Sequence, residues 1–178
     1  MTHRIVLQRV TETQNTFGEP IKAWTTLAQV WAGIDWRSGA ETFQGDRDYA
    51  EVPVMVKIRR ASNTMGVREK DRALVPSLAT TVLSEHITAA ETAIDVDDAS
   101  VFPPENDFCV RIGSELLLVT SKSGNTLTAT RGVYGSTASV HAPGQTVIHL
   151  VPLDIESTAP SRYDIALTAT RSEMRMIP

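Results

Sequence analysis

The strongest pattern in the chain is an alternation of apolar and polar residues in short segments. In the segment AEVPVMVKIRR, Val54, Val56 and Ile58 fall on one face, and Lys57 and Arg59 fall on the other. A period of two is typical of a β-strand that buries one face. This segment therefore predicts a strand with an apolar inner side and a charged outer side.

Three further segments have the composition or the alternation of strands. Residues 4–10 are β-branched and apolar, and residues 28–36 and 163–169 alternate with a period of two. Within 28–36, Trp36 falls on the predicted buried face, so we expect it in the core. Trp31 points the opposite way, where both a core position and a partner-binding surface stay open.

The polar segment that follows Trp36 predicts a different kind of structure. Residues 37–49 contain two glycines and no alternation. Glycine and short polar residues favour turns and loops. We therefore predict a mobile loop here.

The middle of the chain is rich in Thr, Ala, Ser and Asp and has short apolar runs. These runs occupy residues 108–112, 115–120, 126–130 and 146–150, and Gly-Ser, Ser-Gly-Asn and Ala-Pro-Gly signals separate them. Short runs at such spacing predict a small all-β unit.

Charge divides the chain in the same place. Residues 77–155 hold three Lys/Arg against nine Asp/Glu, a net charge of −6, whereas the two flanking segments together carry +2. A shift of this size favours two units of different origin, with the acidic unit placed between two parts of the other.

The bulk composition is that of a globular protein. The chain has 178 residues, 42% of them apolar, and no apolar run approaches the roughly 20 residues that cross a bilayer. The N-terminal sequence lacks the pattern of a signal peptide, so we expect synthesis in the cytoplasm. The single cysteine, Cys109, is expected to be a small buried side chain.

A hydrolase triad can be assembled on paper from Ser139, His141 and Asp107, because triads are defined by geometry and not by order in the chain. However, the sequence VYGSTASVHAPG has no GxSxG elbow and consists mainly of small residues and turn formers. A structural loop is the favoured interpretation.

The candidates for metal and nucleotide binding fail on spacing. A calcium loop that begins at Asp95 would need Gly at position 100 and Glu at position 106, where the chain has Ser100 and Asn106. The four histidines lack HExxH spacing, and no glycine loop suits a phosphate. We therefore predict no metal, no cofactor, no catalytic residue and no enzymatic activity.

A series of short motifs occurs in order in the two flanking segments. They are Gln8-Arg9, Phe17-Gly18-Glu19, Trp24, Val30-Trp31-Ala32-Gly33-Ile34, Ser38-Gly39-Ala40-Glu41, Val54 to Arg60, Asp71-Arg72-Ala73-Leu74-Val75 and Arg162-Tyr163-Asp164-Ile165. Their order and spacing resemble the head-tail joining proteins of tailed phages, also called head closure, head completion or stopper proteins. That family passes directly from the Asp-Arg element to the Tyr-Asp-Ile strand, so residues 77–155 look like an insertion.

The resemblance implies an all-β fold. Residues 1–76 and 156–178 would assemble one small head-tail joining β-barrel, and residues 77–155 would form a second, inserted acidic β domain. It also implies a structural virion protein of the neck, at the head-tail interface, that assembles in the host cytoplasm. Such a protein forms a ring below the portal, closes the DNA-filled head and offers a docking surface to the tail.

The partners implied are further copies of the chain in a dodecameric or hexameric ring, the portal or adaptor protein, and the tail terminator or tail tube protein. DNA would pass through the channel as cargo, and no membrane is involved. The candidate subunit or partner interface consists of Trp31, Met55, Lys57 and Arg59. The candidate channel or gating loop contains Arg37, Ser38, Gly39, Glu41, Phe43, Gln44, Asp46 and Arg47.

Two alternatives stay open at this point. A tail-terminator or tail-completion ring would share the architecture but bind the tail tube. A hydrolase or glycan-binding module in the inserted domain would belong to another functional class.

Overall fold

The computed structural model describes residues 2–14, 16–36 and 54–171, and every regular element in this part of the chain is a β-strand. The all-β prediction is confirmed. The ten strands are β1 (His3–Gln14), β2 (Pro20–Trp36), β3 (Val54–Arg59), β4 (Arg72–Val82), β5 (Ala93–Asp95), β6 (Phe108–Ile112), β7 (Glu115–Ser123), β8 (Thr126–Thr130), β9 (Thr146–Pro160) and β10 (Asp164–Arg171). No helix in the described ranges is long and apolar enough to cross a membrane.

The chain forms two compact units. The first comprises Met1–Val10, Thr26–Val75 and Pro152–Glu173, and the second comprises Thr11–Thr25, Pro76–Val151 and Met174–Pro178. The strands β1, β2, β4 and β9 contribute residues to both. The predicted origin of residues 77–155 as an insertion stays a prediction.

The strands of the first unit close into a ring. Their order is β10-β3-β2-β1-β4-β9, and β9 pairs back onto β10. A closed ring satisfies the backbone groups that an open sheet would leave at its two edges. Each described strand of this unit therefore has a neighbouring strand on both sides over part of its length.

The core of the first unit follows the alternation seen in the sequence. Val56 and Ile58 are fully buried, and in the neighbouring strand Leu167 pairs with Val56 and Ile165 with Ile58. On the other side of β3, Ala32 pairs with Ile58. The predicted inner face of β3 is confirmed.

The predicted core position of Trp36 is wrong, because its side chain is 51% exposed. Trp36 is the last residue of β2 and pairs with Val54, the first residue of β3, so it occupies the final rung of this ladder. Alternation indicates the direction of a side chain but not where the core ends along the strand. A large indole at the last rung extends beyond the aliphatic core.

A β-bulge begins the β4–β9 ladder. The Lys70 amide donates to the carbonyl of Ile155 (3.0 Å), and the Ile155 amide donates to the carbonyl of Asp71 (2.9 Å). Lys70 and Asp71 thus both lie opposite Ile155, and Lys70 has a left-handed φ of 70°. This is the arrangement of a G1 bulge, whose first position usually holds glycine.

The second unit has its own core. Its strands follow the order β4-β9-β6-β7-β8-β5, and a bridge between Leu83 and Val96 joins the residues after β4 and β5. Fourteen buried apolar residues fill it, among them Leu83, Ile94, Phe102, Phe108, Leu117 and Leu127. Cys109 is also fully buried, as expected.

The bulge gives a test of backbone strain. A non-glycine residue in the left-handed region costs about 1–2 kcal/mol, so Lys70→Gly should raise the free energy of unfolding by up to about 1 kcal/mol after the entropy of glycine is subtracted. Lys70→Val should lower it by about 1 kcal/mol or more. Urea unfolding monitored by fluorescence measures both changes.

Lys57→Gly is the matched control, because Lys57 is also an exposed lysine but lies within the regular strand β3. There glycine should destabilise by about 0.5–1 kcal/mol. Equal effects of glycine at positions 57 and 70 would contradict the assignment of strain to the bulge.

Candidate assembly surface

The four residues predicted as an interface lie on one face of the first unit. Met55, Lys57 and Arg59 alternate with the buried residues of β3, and Lys57 and Arg59 are exposed while Met55 is half-buried. In the adjacent strand, Trp31 precedes the buried Ala32 and is 59% exposed. We call the face that carries Trp31, Met55, Lys57 and Arg59 the outer face.

The strand register places small residues beside Lys57. Gly33 of β2 and Ala166 of β10 are its direct neighbours on either side. A Cβ built on Gly33 would meet no atom within 4 Å, so the surface is open at this point. The Lys57 side chain is therefore flanked by small residues on both sides, so another molecule can approach it closely.

Acidic residues alternate with the basic ones on this surface. Asp164 pairs with Arg59, and Asp35 pairs with Met55, one rung away from Lys57. The outer face is thus of mixed charge with an aromatic residue at one side. Mixed charge with exposed aromatic and arginine side chains is typical of protein–protein contact surfaces. Its role as an interface stays a prediction at this point.

The predicted channel or gating loop lies outside the described residues. This applies to Arg37, Ser38, Gly39, Glu41, Phe43, Gln44, Asp46 and Arg47.

Two dipeptides that are far apart in the sequence meet between β1 and β4. The Arg9 guanidinium donates to both carboxylate oxygens of Asp71, Nε at 2.7 Å and Nη2 at 2.8 Å. The next pair runs in the opposite sense, because Arg72 Nε donates to Gln8 Oε1 at 2.8 Å. We call the four residues Gln8, Arg9, Asp71 and Arg72 the β1–β4 clamp.

Burial makes the clamp stronger than a surface contact. Gln8 and Arg72 are fully buried, and Asp71 is 1% exposed. Asp71 also accepts the Arg68 amide, and Arg9 also donates to the Gly66 carbonyl. The hydrogen bond to Asp71 raises the pKa of Arg9. The clamp therefore fixes the loop before β4 as well as the pairing of the two strands.

Sequence reasoning named these dipeptides as motifs but did not pair them. The available signal was the presence of Gln8 and Arg9 at the end of one apolar run and of Asp71 and Arg72 at the start of another. Polar side chains in such positions need partners when the strands are buried.

The Ser139, His141 and Asp107 side chains do not form a catalytic triad. The carboxylate that contacts His141 is that of Glu115, and His141 Nε2 faces both Glu115 Oε2 (2.7 Å) and Ser139 Oγ (3.3 Å). In a catalytic triad the acid and the nucleophile engage different ring nitrogens. Here the other nitrogen, Nδ1, contacts Gln145 at 2.8 Å. The arrangement is that of a structural network.

The centre of this network is a buried carboxylate that the sequence interpretation missed. Glu115 is fully buried and accepts Arg131 Nε (2.6 Å) and Nη2 (2.9 Å), together with the amides of Gly132 and Ser139. Burial acts to raise the pKa of Glu115, but the hydrogen bonds from Arg131, Ser139 and His141 outweigh it and lower the pKa to about 2. Glu115 therefore stays charged and ties three separate segments together.

The aspartates near residue 95 are used in local hydrogen bonds. Ser100 donates its amide and hydroxyl to Asp98, and the Ser84 hydroxyl donates to Asp97. No group of three or more metal-ligating side chains occurs in the described part of the chain. The Ser100 amide, two residues on, donates to the Asp98 side chain, which is the arrangement of an Asx turn.

The segment that contains the clamp matches a known protein family. Residues 1–75 match the family model described as phage head completion protein. Over these residues, the chain is similar to the phage head completion proteins. No curated protein matches the chain.

The matched segment contains the whole β1–β4 clamp and all four predicted interface residues. The description of this family points to a structural role for the matched segment in completing the phage head. The predicted resemblance is confirmed for this head completion segment.

The clamp should dominate the stability of the head completion segment. Asp71→Ala removes the buried partner of a partly exposed arginine together with the hydrogen bonds that it accepts, so we expect it to lower the free energy of unfolding by about 2 kcal/mol. In the double variant Arg9→Met/Asp71→Ala, the loss should fall short of the sum of the two single losses by about 1 kcal/mol or more. Urea unfolding of the four proteins measures this coupling.

Glu69→Ala is the matched control, because Glu69 is an exposed acid two residues from Asp71. It should change stability by less than about 0.5 kcal/mol. Strict additivity of the two clamp substitutions would show that the pair is not coupled.

Glu115 should make the protein sensitive to acid. Its folded-state pKa of about 2 lies below the ordinary value of 4.5, so its contribution is present above pH 4.5 and is lost as pH falls towards 2. Glu115→Gln should destabilise at neutral pH by about 3 kcal/mol and should lose less stability than the wild type between pH 5 and pH 3. Urea unfolding at several pH values tests both effects.

Glu85→Gln removes an exposed carboxylate and serves as the control. It should follow the wild-type pH dependence. A Glu115→Gln variant with the wild-type slope would contradict the role of this carboxylate.

Proposed function

We propose that the protein assembles as a ring in the virion neck below the portal, closes the DNA-filled head and presents the docking surface for the tail. The observation that supports this best is the outer face, whose exposed Trp31, Lys57 and Arg59 belong to the matched head completion segment. The partners we propose are further copies of the chain, the portal or adaptor protein, and the tail terminator or tail tube protein.

The closed ring of strands supports association through side chains. With β9 paired back onto β10, the strand order of the first unit is closed, which limits the edges to which a neighbour could add a strand. Subunits would then meet through faces, as the contacts of a heterologous ring require. The outer face is one such surface.

We also propose that residues 77–155 are an inserted domain of the head completion fold. The ring of the first unit is completed by Arg72–Val75, before these residues, and by Pro152–Pro160, whose first four residues fall within the proposed bounds of the insertion. The separate apolar core of the second unit is consistent with an independent folding unit.

Electron microscopy of the protein mixed with its portal tests the proposal. We expect a ring at the portal end, and we expect Trp31→Ser and Lys57→Glu to abolish it, because each removes an exposed contact without touching the core. Met65→Ser is the matched control, since Met65 is 60% exposed and lies away from the outer face in the loop after β3.

A protein that stays monomeric beside its portal and is absent from the virion neck would contradict the proposal. A ring that forms only on the tail tube would favour the tail-terminator alternative instead.

A further inference from the structure

Three arginines and a tyrosine meet where β3 ends and the β9–β10 turn begins. The Arg60 amide donates to the Tyr163 carbonyl at 2.8 Å, and Arg60 Nη1 donates to the Ser161 carbonyl at 3.1 Å. These contacts hold the end of β3 against the turn that carries Arg162. We call Arg59, Arg60, Arg162 and Tyr163 the arginine patch.

The patch keeps a net positive charge, with three arginines against one acid, Asp164, which pairs with Arg59 across the β3–β10 ladder. Arg59, Arg60 and Arg162 form no ion pair with a carboxylate in the described part of the chain. The central carbon of the Arg162 guanidinium lies 5.4 Å from the centre of the Tyr163 ring, which is a cation–π contact. Tyr163 is 69% exposed. The patch thus places three arginine side chains near one exposed tyrosine, an arrangement suited to binding an acidic surface.

A surface of opposite character occurs in the second unit. In the loop between β5 and β6, the exposed acids Asp97, Asp98 and Glu105 flank Val101, which is 38% exposed. We call residues 97–105 the acidic loop. It belongs to the segment that carries three Lys/Arg against nine Asp/Glu.

The acidic loop is held in one conformation by an internal cation. Lys122 Nζ donates to the carbonyls of Ala99 (3.2 Å), Phe102 (3.2 Å) and Pro103 (3.1 Å). The Lys122 ammonium is therefore directed at the backbone of the loop. The exposed Asp97 and Asp98 carboxylates accept hydrogen bonds from Ser84 and Ser100, and Glu105 is also exposed. A loop that is ordered before binding loses less entropy when it meets a partner.

We propose that the arginine patch of one copy binds the acidic loop of a second copy, with Tyr163 against Val101. The inference rests on the proposed ring, for which it names the contact between subunits. Two different surfaces meet, so the contact is heterologous and repeats from copy to copy until a ring closes. Charge complementarity of this kind sets orientation and partner choice more than affinity.

Reciprocal charge reversal tests the contact in the purified protein. The patch variant is Arg60→Glu/Arg162→Glu, and the loop variant is Asp97→Lys/Glu105→Lys. Sedimentation velocity should show self-association of the wild type at low salt. The association constant should fall by about 10-fold or more at high salt, because salt screens exposed charges. Each variant alone should stay monomeric.

Mixing the two variants should restore association, because the intact patch of one meets the intact loop of the other and the two reversed surfaces also match. Arg68→Glu and Glu85→Lys are the matched controls, since both residues are exposed and lie outside the patch and the loop. Both control proteins should associate as the wild type does.

Three results would overturn the inference: a wild type that stays monomeric at low salt, variants that associate normally, or a mixture that does not recover. Binding of the wild type to a DNA duplex that the patch variant loses, with self-association unchanged, would assign the patch to nucleic acid instead. None of these results depends on the portal, so a ring on the portal that is insensitive to the patch variant would leave the proposed function standing.

Discussion

The reciprocal pairing of Gln8-Arg9 with Asp71-Arg72 holds the first unit closed. In a closed ring each strand pairs with two neighbours. Loss of the β1–β4 pairing would therefore expose one edge of β1 and one edge of β4. The clamp places a bidentate ion pair and a buried hydrogen bond at this seam, and the same aspartate anchors the loop before β4. All four residues lie in the segment that matches the head completion family.

The second unit is tied together by the same physical means with different residues. One buried carboxylate, Glu115, joins the start of β7 to the loop after β8 and to the residues before β9. Such a site is stable only when every lone pair has a partner, because an unpaired buried charge is costly. The two units thus have separate polar anchors. None of the outer-face residues belongs to the β1–β4 clamp or to the Glu115 network.

Much of the fold could be predicted from local alternation, because a strand with one buried face has a period of two whatever it pairs with. That rule placed Val56 and Ile58 inside and Lys57 and Arg59 outside. It misplaced Trp36, since the extent of the core along a strand depends on the neighbouring strands. The clamp and the Glu115 network join residues separated by up to 64 positions, and no local pattern specifies such pairs. A resemblance between motifs found the head completion segment but could not show which motif contacts which.

The claim that the outer face is an assembly surface is tested most directly by oxidative footprinting of Trp31 in free protein and in intact virions. In the free protein Trp31 and Met65 are similarly exposed, at 59% and 60%. We expect Trp31 to be strongly protected in the virion while Met65 is labelled at a rate close to that of the free protein. Equal labelling of Trp31 in the two states would contradict the account.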